Sequence, residues 1–374
     1  MNIHLIAKRH RPLLTIGKEI LTCHFGSLYL LNISTGQASK VCSLPVKSRY
    51  RFLARFRPLE RLLRLEVKAA IALSDTVVLI SYLGSIYRVD ISSGEIIKEH
   101  DYCSGMNNPL YFTRIEGITG FEDCIAYGEY TINSNRKNAS AIYIRSLSTP
   151  NWCKVYEFPA GEVRHIHGLK AALGDDCVYI MTGDLDNESG IWVSRDGFHT
   201  ITPVLTGKQK YRTGFMFTVS NGYVYPTDTA TEQNYIYLAE YNDAQLNLRV
   251  LAKLDGSCVN AIDTETDIFI TTAVEPDENI TGWRSWINYK KGAGIKSDRT
   301  QLLKVDKKSM EYKNIFSAKK DILPYRLFQY GSMILVDCPH AGGVMVYPIG
   351  VKKFDGKLLL LSCESEEEYS VDSK

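Results

Sequence analysis

Short runs of alternating apolar and polar residues, each bounded by a turn containing glycine or serine, recur along the whole chain. Alternation of this kind is typical of strands with one buried face, and tight turns between such runs indicate antiparallel hairpins. Two segments, FGSLYLLNISTGQ at 25–37 and LGSIYRVDISSGE at 83–95, share their glycine, serine, tyrosine and isoleucine positions. The chain therefore contains an internal repeat of consecutive antiparallel strands.

The same outline recurs five more times, with less identity, near Tyr143, Trp192, Tyr237, Leu303 and Val346. Seven units predict an all-β fold, a seven-bladed β-propeller of four-stranded antiparallel sheets, because small sheets in a ring bury both faces against their neighbours. A six-bladed ring and a pair of packed β-sandwich domains are the alternatives. No linker rich in proline, glycine or serine interrupts the units, which favours one propeller domain over residues 1–364.

Three segments depart from the repeat. Residues 47–68 are basic and amphipathic, and they predict a helical insert between the first two units. This insert either covers part of the propeller or makes a peripheral contact with an anionic membrane surface. Residues 275–300 form a polar and aromatic loop insertion in the sixth unit, and loops of this length are often functional. The acidic residues 365–374 predict a disordered tail.

Composition narrows the function classes. The 374 residues carry a formal net charge of +2, which argues against a dedicated nucleic-acid-binding protein. Because neither a signal peptide nor a membrane-spanning run is visible, we expect a cytoplasmic protein. The nine cysteines are scattered without a C-x-x-C pair, which favours free buried thiols over a disulfide framework or a zinc ribbon.

The propeller topology predicts where polar residues converge. The loop that enters the inner strand of a blade and the loop that joins its second and third strands open on the same face. In the fourth unit these are VRHIHGL at 163–169 and TGDLDNESG at 182–190. Because alternate side chains of a strand point the same way, we expect His165 and His167 to face the channel together, with Arg164 on the opposite side of the strand.

Equivalent places in the other units supply further candidates for the same mouth. The residues expected to be catalytic are His165, His167, Tyr130, Glu129 and Tyr211. The residues expected to bind substrate are Arg212, Arg164, Asp184, Asp228, Asn234, Arg326 and His340. The arginines indicate a ligand with a carboxylate or phosphate, because the guanidinium fork binds such groups in a bidentate manner. A divalent metal is the one cofactor indicated, with His165, His167 and His340 as its candidate ligands.

These residue types leave three chemistries open. A pair of carboxylates, or a carboxylate and a tyrosine, is suited to glycoside hydrolysis. A histidine or tyrosine base, with an arginine that neutralises a uronate carboxylate, is suited to β-elimination. A histidine metal site with oxygen ligands nearby is the third. No glycine-rich phosphate loop is visible, so nucleotide-dependent transfer has little support.

Residues 194–201, SRDGFHTI, resemble the Asp-box of sialidase-like BNR-repeat propellers. Phe198 stands at a glycine position of the box and Ile201 at its tryptophan position. The segments GEY at 128–130, RHIHG at 164–168 and QKYR at 209–212 look like the same family, whose members are often described as glycosyl-hydrolase homologues. The resemblance implies a propeller that binds carbohydrate, with the Ser and Asp of the box bonded to turn backbone. Propeller polysaccharide lyases, which use His, Tyr and Arg around the axis, are similar in architecture.

Together these features predict a carbohydrate-active enzyme, a polysaccharide lyase or a glycosidase, with its site at the propeller axis. The expected partner is an acidic oligosaccharide or polysaccharide fragment. The alternative is a non-catalytic propeller that binds glycan or assembles other proteins during surface-polysaccharide synthesis, with residues 47–68 near the membrane.

Overall fold

The computed structural model describes residues 2–106, 108–242, 245–338 and 342–362, the side chains of residues 242 and 245 excepted. Within these ranges, the chain forms seven separate four-stranded antiparallel sheets. The seven-bladed β-propeller predicted from the repeat is thereby confirmed. Two predicted features, the acidic tail 365–374 and the candidate ligand His340, lie outside the described residues.

The strands follow one another with few interruptions. In chain order they are β1 (Asn2–Lys8), β2 (Arg11–Ile16), β3 (Glu19–His24), β4 (Ser27–Asn32), β5 (Ala38–Ser43), β6 (Ala69–Ala72), β7 (Val77–Tyr82), β8 (Ser85–Asp90), β9 (Ile96–Asp101), β10 (Thr113–Ile115), β11 (Cys124–Gly128), β12 (Ser140–Ser146), β13 (Trp152–Phe158), β14 (His165–Ala172), β15 (Cys177–Gly183), β16 (Gly190–Ser194), β17 (Thr202–Thr206), β18 (Phe217–Val219), β19 (Gly222–Pro226), β20 (Asn234–Asn242), β21 (Gln245–Leu254), β22 (Ser257–Asp263), β23 (Asp267–Ala273), β24 (Arg299–Asp306), β25 (Tyr312–Lys319), β26 (Ser332–Cys338), β27 (Gly343–Ile349) and β28 (Lys357–Ser362).

Six blades use four consecutive strands, and the seventh is shared between the two ends of the chain. Blade 1 is β2–β5, and blades 2 to 6 continue in steps of four strands to β25. Blade 7 has the order β26, β27, β28, β1, with Asn2 opposite Ser362 and Lys8 opposite Lys357. The first strand of the chain therefore completes the last blade and closes the ring.

The core lies between neighbouring blades rather than at the centre of the molecule. Every residue of the second strand of blade 4, β15 with the sequence CVYIMTG, is buried, because a blade packs on each of its faces. The outer strand β13, with the sequence WCKVYEF, has exposed positions among half-buried ones, as a strand at the rim requires. Ile142, Ile166 and Val178 belong to one buried cluster that joins blades 3 and 4.

The helical segments lie outside the blade pattern. Residues 47–68 contain helices α1 (Ser48–Leu53) and α2 (Arg57–Leu63), and α3 (Tyr325–Phe328) precedes blade 7. Among the described residues, four short 3₁₀ turns occupy Leu173–Asp175, Asp186–Glu188, Gln209–Tyr211 and Gly282–Ser285. None of the helices in the described ranges combines the length and the apolar character that a bilayer crossing would need.

Ionic contacts attach α2 to blade 7. The Arg57 guanidinium donates to both carboxylate oxygens of Asp355, at 2.8 and 3.0 Å. Arg61 is buried, with Nη1 2.5 Å from Asp321 and Nε 2.7 Å from the carbonyl oxygen of Phe328. One side of the insert is therefore fixed to the propeller.

The rings of Phe52 and Phe56 lie on the open side of the same insert, with 57% and 54% of their surface exposed. Their centroids are 6.0 Å apart, so the two rings form one small apolar patch next to basic side chains. The membrane contact predicted for residues 47–68 stays a prediction. Seven cysteines of the described ranges are free thiols, namely Cys23, Cys42, Cys103, Cys124, Cys153, Cys177 and Cys258.

Candidate functional site

A cavity of about 1400 Å³ opens at the face where the inner-strand entry loops lie. Blades 3 to 6, the end of α2, and α3 with the segment after it all contribute to its lining. Its charged lining is mixed. The arginines are Arg64, Arg136, Arg164, Arg212 and Arg326, and the acidic residues are Asp184, Asp186, Asp228, Glu232, Glu275 and Glu278.

The two inner strands of blade 4 position two histidines at this cavity, His165 in its lining and His167 buried beside it. Strand β14 begins at His165, which lies opposite Gly183 at the end of β15. The ladder slips by one residue between Ile166 and Gly168, so His167 occupies a β-bulge. A Cβ atom on Gly183 would lie 2.7 Å from Cε1 of His167, so only glycine leaves room for the imidazole here.

Three potential metal-ligand atoms converge at this point. Nε2 of His165 lies 3.1 Å from Nε2 of His167 and 3.2 Å from Oδ1 of Asp184. Nε2 of His167 lies 3.3 Å from the same Oδ1. Nδ1 of His165 donates to the carbonyl oxygen of Thr131 at 3.0 Å, and this directs the Nε2 lone pair of neutral His165 into the cluster. We refer to His165, His167 and Asp184 as the triad.

The protonation states of the triad suit metal binding. Burial lowers the pKa of His167 to about 4, so its imidazole is neutral near pH 7. Burial alone would raise the pKa of Asp184, but its side-chain contacts with His165 and His167 and the charge of Arg212 hold it well below its ordinary value. The triad thus combines an ionised carboxylate with a neutral imidazole, the forms in which these groups bind metal ions.

Two arginines hold the carboxylate of Asp184. Nη2 of Arg212 lies 3.1 Å from Oδ1, and Nη1 of Arg164 contacts Oδ2. The expectation that Arg164 lies on the far side of its strand, away from the histidines, is therefore wrong. Arg164 precedes β14 and is not subject to the alternation of the strand, so its guanidinium reaches the carboxylate that the histidines share.

Hydrogen bonds also fix the position of the backbone around Asp184. Gln209 donates through Nε2 to the carbonyl oxygen of Asp184 at 2.7 Å. The amide of Asp184 donates to Oε2 of the buried Glu188 at 3.1 Å, and Arg136 pairs with the same carboxylate at 2.5 Å. These contacts fix the loop after β15, so the position of the Asp184 carboxylate is set before any ligand arrives.

Tyr130 covers the triad from blade 3. Its ring stacks on the imidazole of His165, with centroids 4.1 Å apart, and lies 5.8 Å from the ring of His167. Burial, with the nearby charges of Asp184 and Asp228, raises the pKa of the Tyr130 phenol well above its ordinary value. Tyr130 therefore holds its proton at neutral pH and is a proton donor rather than a base.

Two carboxyl groups from blades 5 and 6 also line the cavity. Burial raises the pKa of Asp228 well above its ordinary value, and the negative charge of Glu275 adds to the shift. The pKa of Glu275 is raised too, again mainly by burial, although Ser257 donates to its Oε2 at 2.5 Å. One proton can be held by this pair near neutral pH, whereas Asp184 holds none.

Three predicted site residues are not brought to the cavity. Glu129 is buried behind it, because its Oε2 accepts the amide of Ala141 on β12 at 2.9 Å. Tyr211 lies in a 3₁₀ turn beneath Lys210, whose ammonium is 5.0 Å from its ring centroid. Asn234 is fully buried and braces its own loop, with Oδ1 accepting from Thr229 and Nδ2 donating back to it.

Of the other predicted residues, Tyr130, His165, Asp184, Arg212 and Asp228 line the cavity. Arg164 and Arg326 line it as well, while His167 lies fully buried within the triad.

Sequence reasoning missed several residues of the cavity wall, namely Arg64, Gln209, Glu275, Trp286 and Tyr330. Arg64 lies in the basic insert 47–68, and Glu275 and Trp286 lie in the insertion 275–300. Both segments that depart from the repeat therefore contribute side chains to the cavity. Gln209 belongs to the QKYR segment that was noted for its arginine and tyrosine. No sequence signal distinguishes Tyr330.

No protein-family model and no curated protein sequence matches this chain. Among solved structures, an oligogalacturonate lyase from Vibrio parahaemolyticus is similar, with a TM-score of 0.56 and 10% identity over 98% of this chain and 94% of its own. An oligogalacturonate lyase in complex with manganese has a TM-score of 0.60 and 11% identity, over 97% and 93% of the two chains. The Cps50 (Swd1) β-propeller domain of Myceliophteria thermophila has a TM-score of 0.54 and 8% identity, over 97% and 99%. At these identities the likeness shows the propeller fold.

Proposed function

We propose that this protein is a carbohydrate-active enzyme, a polysaccharide lyase that acts on an acidic oligosaccharide with a divalent cation held by His165, His167 and Asp184. The observation that carries the proposal is the convergence of three ligand atoms within 3.3 Å of one another at the wall of a cavity whose mixed charged lining includes five arginines.

The triad fits a divalent cation. Ligand bonds of about 2.1 Å place neighbouring ligand atoms of an octahedral ion about 3.0 Å apart. The three separations within the triad are 3.1, 3.2 and 3.3 Å. Two histidines and one carboxylate on one face of an ion leave its other positions open to a substrate or water. The site keeps two of the three predicted metal ligands, His165 and His167, with Asp184 as the third.

The comparisons support the choice of substrate and metal. Two structures that share the fold over nearly the whole chain are oligogalacturonate lyases, and one of them is in complex with manganese. An acidic oligosaccharide also suits the two cavity arginines that pair with no described carboxylate, Arg64 and Arg326, because carboxylates are the sugar substituents that guanidinium groups bind in bidentate fashion. We therefore take a uronate-containing oligosaccharide as the substrate class.

The residues of this chain supply the proton transfers of a β-elimination. A carboxylate of the Asp228 and Glu275 pair takes the proton from the carbon beside the uronate carboxylate, since its raised pKa makes it a stronger base than an ordinary carboxylate. The bond from the neighbouring carbon to the glycosidic oxygen breaks, a carbon–carbon double bond forms, and the Tyr130 hydroxyl gives its proton to the departing oxygen. When bound, a divalent cation would supply fixed positive charge near the uronate carboxylate.

Turnover assays test this proposal. Chelator-treated protein is incubated with trigalacturonate, with and without Mn²⁺, for the wild type, the His165→Ala/His167→Ala double variant and the exposed control His199→Ala. We expect the wild type and the control to give a product that absorbs in the ultraviolet, as an unsaturated uronate does, and the double variant to give none. New reducing ends without that absorbance would indicate a glycosidase instead. Absence of both signals from the wild type with Mn²⁺ would contradict an enzyme of either kind.

A second candidate is a propeller that binds glycan without turnover. The specific observation in its favour is the aromatic surface of the insertion 275–300, where Trp283, Trp286 and Tyr289 are 69%, 54% and 63% exposed. Trp286 lines the cavity, so an aromatic face is available to a sugar ring at its mouth. Tight binding of trigalacturonate with no change in the sugar would support this candidate.

The resemblance to sialidase-like propellers belongs to the same proposal. In the hairpin after β16, Asp196 accepts the amide of Thr200 at 2.9 Å, and Ser194 accepts the amide of Phe198 at 3.1 Å. These are the turn contacts that an Asp-box implies. They support a shared hairpin device and have no part in the chemistry of the cavity.

A further inference from the structure

The five arginines of the cavity are not equivalent. Three of them already pair with carboxylates of this chain, Arg136 with Glu188, and Arg164 and Arg212 with Asp184. Arg64 and Arg326 form no ion pair with any described residue, and both side chains are exposed at the cavity wall. Two guanidinium groups without an ion pair to a described residue are therefore available to an anionic ligand.

The helical insert 47–68 and the loop insertion 275–300 both contribute to this wall of the cavity. Arg64 is the C-cap residue of α2, and its Nη2 donates to the carbonyl oxygen of Arg326 in α3 at 2.7 Å. Nη1 of Arg326 donates to Oγ of Ser285, in the insertion 275–300, at 3.2 Å. A chain of hydrogen bonds thus joins the helical insert, α3 and the loop insertion at one side of the cavity.

Tyr330 lines the cavity near the guanidinium groups of both Arg64 and Arg326. Burial raises the pKa of the Tyr330 phenol to about 12, and Glu275 adds to this, while the charges of Arg64 and Arg326 oppose it. Both guanidinium groups are therefore close enough to act electrostatically on one phenol that lines the cavity. A carboxylate bound there would meet two cations and a hydroxyl donor, with the carboxyl groups of Glu275 and Glu278 also nearby.

Two non-glycine residues with positive φ, Arg64 and Gln329, lie at or beside the same wall. Arg64 has φ 52° and ψ 46°, in the left-handed region that glycine favours at the end of a helix. Gln329, one residue before Tyr330, has φ 67° and ψ 157°, a conformation that is otherwise almost restricted to glycine. A glycine would fit position 64 with less strain, so the arginine side chain points to a task that the helix end itself does not require.

We infer that Arg64 and Arg326 form a clamp for a second carboxylate of the substrate, so that the ligand is an oligosaccharide with at least two acidic sugars. This inference rests on the proposed function, in which the first carboxylate belongs to the sugar that reacts beside the triad. The cavity volume of about 1400 Å³ exceeds the roughly 300–1,000 Å³ typical of a drug-sized ligand, and it accommodates several sugar units.

Calorimetric titration with two probes tests the clamp. Trigalacturonate carries carboxylates, and its fully methyl-esterified form has the same sugars without them. The variants are Arg64→Gln, Arg326→Gln and their combination, with Arg249→Gln as a control at an exposed arginine on blade 5, outside the cavity. We expect each single variant to bind trigalacturonate about fivefold to tenfold more weakly, and the double variant well over tenfold. Affinity for the ester should stay within about twofold in every protein.

The outcomes separate the clamp from the proposed function. If the double variant keeps the wild-type preference for trigalacturonate over its ester, the clamp is wrong, whereas metal binding and turnover in the same samples leave the proposed function intact. If the wild type shows no preference between the probes, the clamp is overturned, and the absence of Mn²⁺ binding at the triad would then overturn the proposed function as well.

An Arg64→Gly variant distinguishes a ligand-binding role from a structural one. Because glycine relieves the positive φ at position 64, we expect the thermal midpoint to stay unchanged or to rise, while affinity for trigalacturonate falls as in Arg64→Gln. A lowered midpoint with unchanged affinity would show that Arg64 serves only to hold α2 against α3.

Discussion

Nε2 of His165 and Nε2 of His167 lie 3.1 Å apart, and both face the carboxylate of Asp184. Nδ1 of His165 is already bonded to a backbone carbonyl, whereas Nδ1 of the buried His167 has no hydrogen-bond partner among the described residues. Two nitrogen lone pairs and an anionic oxygen at this separation repel one another unless a proton or a cation lies between them. The arrangement is therefore one that a bound cation stabilises.

We expect one equivalent of Mn²⁺ to bind chelator-treated wild-type protein and to raise its thermal midpoint. Each of three variants removes one ligand of the triad: His165→Ala, His167→Ala and Asp184→Asn. Each should abolish Mn²⁺ binding or lower the Mn²⁺ affinity at least tenfold in calorimetry. His199→Ala, at an exposed histidine of blade 4, should bind as the wild type does. Stoichiometric binding that persists in the double histidine variant would place the metal elsewhere.

Gly183 is expected to control the position of His167. In Gly183→Ala the new methyl group would lie 2.7 Å from Cε1 and 3.0 Å from Nε2 of His167, so the buried imidazole must shift. We expect Mn²⁺ affinity to fall about tenfold or more, and overpacking to cost about 1–3 kcal/mol of unfolding free energy.

Gly214→Ala is the matched control for that prediction, because its methyl group would lie 3.9 Å from Cβ of His167, an ordinary contact. Calorimetry compares the Mn²⁺ affinities of the two variants, and denaturant unfolding compares their free energies of unfolding. Equal Mn²⁺ affinities in the two variants would show that the imidazole of His167 tolerates displacement.

We expect the buried ring of Phe198 to stabilise the fold by more than its positive φ costs. It has φ 70°, yet its side chain is buried between blades 3 and 4 and packs edge-on against Phe121 at 5.1 Å. Phe198→Ala should lower the free energy of unfolding by about 3–5 kcal/mol through loss of core packing. Phe198→Gly should cost about 1 kcal/mol less than alanine, although it removes more, because glycine adopts positive φ without strain. Denaturant unfolding of the two variants checks this order, and a glycine variant less stable than alanine would refute it.

The attachment of α2 to blade 7 should weaken in acid. Burial alone would raise the pKa of Asp355, but the two hydrogen bonds from Arg57 lower it below its ordinary 3.8. A carboxyl group with a lowered pKa stabilises the fold above its unfolded pKa, and this contribution is lost as the pH falls through the folded value. The window therefore lies below about pH 4.

We expect Asp355→Asn to cost about 2 kcal/mol of unfolding free energy at pH 7, because it removes two charge-assisted hydrogen bonds from the half-buried Arg57, which keeps Glu60 as its other carboxylate partner. The difference from the wild type should shrink between pH 4 and pH 2, as measured by urea unfolding at several pH values. Asp75→Asn, at an exposed turn residue, controls for the general effect of removing a carboxylate. A difference that is independent of pH would assign the loss to packing rather than to charge.

The sequence was sufficient to predict the ring and part of the site, since a repeat fixes topology and topology fixes which loops share a face. His165, Asp184, Tyr130 and Arg212 occupy equivalent loop or inner-strand positions in neighbouring blades, and they do meet at one cavity. No long-range information beyond the repeat was needed for that convergence.

Side-chain directions outside the strands were not predictable in the same way. Glu129 follows β11 directly, but its carboxylate turns to an amide of β12, a preference that depends on the local hairpin and not on the repeat. Arg164 precedes its strand, so alternation gave the wrong side. Arg64 is distant in sequence from every other cavity residue, and its place there depends on how α2 packs against α3. The sequence pattern predicts a helical insert but does not predict how α2 packs against α3.

The closure of blade 7 by β1 has a mechanical consequence. Asn2 lies opposite Ser362, so the ends of the paired strands leave the ring at the same edge. A force that pulls on those two ends loads the hydrogen bonds between β1 and β28 one after another, as in a zipper, which is the weak direction of a sheet. Because blade 7 also anchors α2 through Asp355, such a load would loosen the Arg64 side of the cavity before it reached the histidines of blade 4.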